Sequence, residues 1–101
     1  MGMDYVWSGS ASYPRFEAEL MEIAEIFGGQ RRIRRPIYIF PDGTNEVLVK
    51  WFNNIYGDFT EEETKIVWEL VSAHPEIEKI SWQIWKELQK CVEFETSWGI
   101  H

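Results

Sequence analysis

Three sets of residues in this chain have the types that chemistry uses: a lone thiol with two imidazoles, a crowd of carboxylates, and a dense run of arginines. Cys91 is the single cysteine, and His74 and His101 are the two histidines. A thiol acts as a nucleophile when a base stands within hydrogen-bond reach in a wet, electropositive setting. Cys91 instead falls on the apolar stripe Ile77, Ile80, Ile84, Leu88, Cys91, and no familiar spacing brings either histidine to it. A buried structural cysteine is therefore expected. His74, directly before Pro75, is expected to be structural or superficial. One cysteine and two histidines match no zinc motif,. No catalytic residue, metal site or cofactor is assigned.

The carboxylates are too numerous, and too well explained, to mark an acid–base pair. Seventeen Asp and Glu stand against ten Lys and Arg, a formal net charge of −7. Glu61, Glu62, Glu63, Glu76 and Glu78 sit where helices begin, and the positive end of a helix dipole favours acids there,. Glu17, Glu19, Glu22 and Glu25 form the polar side of an amphipathic segment,. Residues 1–50 hold six basic and seven acidic side chains, net −1, whereas residues 51–101 hold four and ten, net −6. A field of that sign repels nucleic acid from most of the surface.

The exception is QRRIRRP at residues 30–36, with Arg31, Arg32, Arg34 and Arg35. These are the candidate anion contacts, and Tyr38 and Phe40 could add base stacking,. Alternation along a strand splits them, Arg31 and Arg35 to one face and Arg32 and Arg34 to the other. Glutamates of the preceding helix, Glu19, Glu22 and Glu25, are the expected partners, and nucleic-acid binding is the weaker alternative. SGSAS at 8–12 lacks both the glycine spacing of a dinucleotide loop and the Lys-Ser/Thr ending of a Walker loop, so it reads as a polar connector,.

The elements that must position these residues follow from periodicity and caps. Asp4–Trp7 suits an edge strand. Pro14 opens a helix whose stripe is Phe16, Leu20, Ile23, Ala24 and Phe27, and Gly28-Gly29 stops it,. Residues 32–40 alternate as a strand, Ile33, Ile37 and Ile39 on one face and Tyr38 and Phe40 on the other, with Pro36 marking an edge or bulge,. PDGT at 41–44 turns the chain. Residues 45–56 admit two structures. A helix is favoured because Val47, Leu48, Trp51, Phe52 and Ile55 share one helical face, while Asp42-Gly43 and the valines would suit a hairpin,. Thr60 with Glu63 predicts a capping box, followed by a buried face of Ile66, Val67, Leu70 and Val71,. A last helix is expected from about Pro75 to Val92 or Phe94, and Trp98 and Ile100 beyond it are placed to dock back.

The sum is an α+β fold: a small helix-rich single domain over residues 1–101 with a minimal two- or three-stranded sheet. A single cysteine, no secretory pattern and no window apolar enough to span a membrane predict a cytoplasmic protein with no membrane association. With six Trp, four Tyr and six Phe, the chain has aromatic mass beyond what so small a core obviously hides,. Trp68 and Trp82 lie off the centres of their stripes and are candidate anchors for a protein partner or a homodimer. The expected function is a non-catalytic interaction or regulatory module. Its concrete form is an immunity-type inhibitor that presents Glu61, Glu62, Glu69, Glu76 and Glu78 to a basic partner. The alternatives are a structural homo-oligomer or a weak nucleic-acid binder through Arg31–Arg35.

Overall fold

The computed structural model describes residues 13–31, 37–55 and 57–98, with side chains from residue 17 onward in the first stretch. The proposed strand Asp4–Trp7, the SGSAS connector, Arg32, Arg34, Arg35, Ile100 and His101 lie outside the described residues. Helix α1 covers Tyr13–Ile26 and buries Leu20, Ile23 and Ala24. Its stop is a Schellman motif. Gly28 takes φ +82°, its N–H donates to Glu25 O at 3.0 Å, and the Gly29 N–H donates to Ala24 O at 2.8 Å,. Gly29 also lies against the Phe40 ring, with no room for a Cβ.

The sheet is smaller than the alternation from 32 to 40 predicts. Strand β1 (Gln30–Arg31) pairs antiparallel with β2 (Tyr38–Ile39), Gln30 opposite Ile39 and Arg31 opposite Tyr38. The period of two holds: Tyr38 points into the core, while Ile37 and Ile39 face solvent. The ladder is short because Tyr38 has a different neighbour on its other side. Its N–H donates to Asn53 Oδ1 at 2.6 Å and its carbonyl accepts from Asn53 Nδ2 at 3.1 Å, so one amide satisfies both backbone groups of the residue,.

Residues 46–53 are helical, not the arm of a hairpin. Helix α2 spans Glu46–Asn53, and Asn45 Oδ1 caps it by accepting from the Val47 and Leu48 N–H groups,. Leu48, Trp51 and Phe52 are buried; neighbours such as Trp51 and Phe52 both turn inward on a helix but oppose each other on a strand,. Helix α3 spans Glu61–Ser72 and begins with the predicted capping box: Glu63 N–H donates to Thr60 Oγ1, and Thr60 N–H to Glu63 Oε1, both at 3.1 Å. Its buried residues are Thr64, Val67 and Val71, with Ile66 and Leu70 half-buried.

One element departs from expectation. The final helix is two: α4, Glu76–Ile80, and α5, Trp82–Glu93, broken at Ser81 with φ −144° and ψ 94°. Ser81 Oγ accepts from the Ile84 N–H at 3.3 Å and restarts the helix as an N-cap,. The apolar stripe hides this break because Ile77, Ile84, Leu88 and Cys91 stay in phase across it, and all four are buried.

After α5 the chain turns back, and this return closes the core. The turn is a second Schellman motif: Glu95 N–H donates to Val92 O at 3.2 Å and Thr96 N–H to Cys91 O at 2.8 Å. Its left-handed residue is Glu95, φ 53°, where α1 uses glycine. Trp98 then buries all but 1% of its surface between α2 and α3. Its indole N–H donates to Ile55 O at 2.9 Å and its backbone N–H to Thr64 Oγ1 at 3.2 Å. Its carbonyl accepts from Phe59 N–H at 3.2 Å, an antiparallel bridge. Trp98 meets Trp51 edge to face with centroids 5.6 Å apart, and together with Phe52 and Phe59 they are the largest fully buried side chains.

Two equivalent turns with different central residues make a paired test. Glu95→Gly removes the Cβ penalty of the left-handed region and should raise stability by about 1 kcal/mol, whereas Gly28→Ala should lower it by a similar amount. Urea unfolding midpoints of the two variants, moving in opposite directions from the parent, check this.

Candidate interaction surface

The surface around α3, α4 and α5 carries most of the residues singled out by type. Trp68 on α3 is half-buried and packs edge to face on Trp85 of α5, with centroids 4.8 Å apart and planes at 70°. Sequence position places Trp68 off its stripe but does not reveal Trp85 as its partner, because the contact joins two helices. Trp82 stands one turn before Trp85 and is 63% exposed. Lys86, at i+4, holds its Nζ 5.8 Å from the Trp82 ring centroid, which steadies an indole that the core leaves out,. Phe94 is 68% exposed as well, but twelve residues along the helix put it about 18 Å from Trp82, too far to share one contact patch,.

The acidic residues are distributed over the same helices. Glu61, Glu62, Glu69, Glu76 and Glu78 are all exposed. Glu61, Glu62, Glu69 and Glu78 form no ion pair among the described residues, and Glu76 reaches only His74 Nδ1, at 3.9 Å. Glu63 is different, since it is used internally. Its carboxylate accepts from Lys50 Nζ at 2.8 Å as well as from the Thr60 N–H, and Lys50 lies 4.9 Å from the Phe59 centroid. One acid thus caps α3 and clamps α2 to it. The Lys50 hydrogen bond, then the Thr60 N–H, hold the Glu63 carboxyl below its ordinary value. Across residues 57–98 ten acids face four lysines, for a net of −6.

The remaining candidates separate. Arg31 donates to Glu17 Oε1 at 3.0 Å, an ion pair from β1 back to α1 and one helical turn earlier than the expected Glu19–Glu25 set. Cys91 is buried, with its thiol 3.5 Å from the Ser97 carbonyl beneath the returning chain. Burial pushes the Cys91 thiol pKa up, against a lowering hydrogen bond from Thr96. His74 lies between α3 and α4 and stacks edge to face on Phe27, with centroids 5.1 Å apart. Among the described residues no three His, Cys, Asp or Glu side chains are grouped to hold a metal ion, and no helix is long and apolar enough to cross a membrane. Comparison with known proteins finds no matching family model, no matching curated protein and no matching solved structure.

Two measurements test this geometry. Glu63 has a folded pKa below its unfolded one, so its contribution is present above the ordinary value of 4.5 and fades as pH falls through the lower folded pKa,. Glu63→Gln should therefore flatten the loss of stability on acidification below that value while lowering stability at neutral pH, read from thermal midpoints across an acid series. Cys91 should react slowly with a thiol reagent in the native protein at neutral pH and quickly once unfolded. Equal rates in both states would place the thiol at the surface.

Proposed function

We propose that the protein is a non-catalytic cytoplasmic interaction module whose α3–α5 face binds a basic protein partner, with Trp82 as the anchor. The observation that carries this reading is the exposed Trp82 indole, held on one helix beside the Trp68–Trp85 pair and surrounded by helices that display free carboxylates. A tryptophan left in water has a large apolar surface to bury, and indoles are the side chains that most often dominate interface energetics. The carboxylates supply the complementary part. Glu61, Glu62, Glu69 and Glu78 have no cation of their own to satisfy among the described residues, so their field extends outward and steers a positively charged partner.

In its concrete form the module is an immunity-type inhibitor. The partner's phosphate-binding arginines and lysines meet glutamates in place of the phosphates of its substrate, and Trp82 seats in an apolar recess beside them. Glu76 and Glu78, on the short helix that leads into Trp82, lie nearest in sequence to the anchor and are the expected first contacts.

The test is direct binding to purified basic nucleases, with a neutral protein as control. Trp82→Ala should weaken binding at least about tenfold without moving the thermal midpoint, because an exposed ring contributes to the interface and not to the core. Glu76→Lys with Glu78→Lys should slow association and remove its salt dependence. No binding to any basic partner at low salt, or binding indifferent to Trp82→Ala, overturns the proposal.

A further inference from the structure

The same turn ends α1 and α5, but only one of the two sequences asks for it. At α1 the left-handed position is Gly28 and the next residue is Gly29, both demanded by the geometry. At α5 the left-handed position is Glu95, and the stretch Glu93-Phe94-Glu95-Thr96-Ser97 contains neither glycine nor proline. Left to itself, this stretch has no local reason to reverse there. What reverses it is the docking of Trp98, and every partner of that docking lies in residues 51–64: the Ile55 carbonyl, the Thr64 hydroxyl, the Phe59 N–H and the Trp51 ring. The receptor for Trp98 is thus complete without α5. It would hold an identical segment from another molecule by the same hydrogen bonds and the same edge bridge.

We propose that residues 94–98 form an exchangeable arm, and that two copies of the chain associate by placing each Trp98 in the other's α2–α3 receptor. Exchange keeps all of the docking contacts, and it lets Glu95 leave φ 53° in both chains. A short hinge held in an unfavourable conformation favours swapping for this reason. The concentration at which dimer forms is set by that relief against the cost of association. The dimer is independent of the Trp82 surface, which stays exposed in both states.

Sedimentation equilibrium from micromolar to millimolar protein, after warm incubation below the unfolding midpoint to let arms open, tests the exchange. The parent should populate a dimer. Glu95→Gly fits the closed turn without penalty and should weaken the dimer about fivefold per hinge, hence about 30-fold for two. Glu95→Pro cannot take a positive φ and should drive the population to dimer. Trp82→Ala should leave the dimer fraction unchanged. A parent that is monomeric at every concentration, a dimer fraction indifferent to residue 95, or a dimer abolished by Trp82→Ala overturns the proposal. Should Glu95→Pro not fold, the parent and Glu95→Gly decide between them.

Discussion

The fold depends on getting one indole, with both its own N–H and its backbone, out of water. Trp98 is remote in sequence from the helices that hold it, and it can be buried only if a carbonyl, a hydroxyl and an N–H are all waiting for its polar groups. Ile55, Thr64 and Phe59 provide them. Thr64 can do so because its own hydroxyl proton is already committed to the Thr60 carbonyl at 2.8 Å, which leaves its lone pair for the Trp98 N–H. The hydroxyl is thereby aimed by the first turn of α3. Truncating a ring buried this completely typically costs about 3–5 kcal/mol, a large share of the stability available to a domain of this size.

The same first turn carries the second long-range tie. Glu63 closes the capping box and also receives Lys50, so the start of α3 is joined to α2 by charge on its outer side and to the returning chain by Thr64 on its inner side. Local and tertiary interactions therefore reinforce one another within four residues. Trp51, at the centre of this junction, is the exception. Its indole N–H finds no acceptor among the described residues, an omission that costs about 1–3 kcal/mol and is offset by the aromatic surface it buries against Phe52 and Trp98,.

What could be read in advance was what depends on neighbours in sequence. Thr60 with Glu63, Gly28 with Gly29, and the Val47-Leu48-Trp51-Phe52 face each encode their geometry within a few residues, and the α+β class follows from them. What stayed hidden depends on distance or on phase. Ser81 interrupts a stripe that resumes in register, so periodicity passes over the break. Glu95 sits in a left-handed turn that its own type disfavours, since Trp98 imposes it. The Trp68–Trp85 pair joins two helices whose relative rotation no single stripe specifies. Trp82 was legible as off-stripe, but its degree of exposure depends on how α4 meets α5 at that same unforeseen serine.

Asn53 has a consequence of another kind. By presenting an amide to both the N–H and the carbonyl of Tyr38, it occupies the side of β2 where a third strand would add. The sheet is terminated by a helix side chain, not by a strand. Growth of β structure from this edge is therefore gated by α2: while the helix is wound, the template is closed, and fraying of its last turn would expose a two-residue seed beside the apolar Ile37 and Ile39,. Resistance to misassembly in this protein thus rests on the integrity of one helical end.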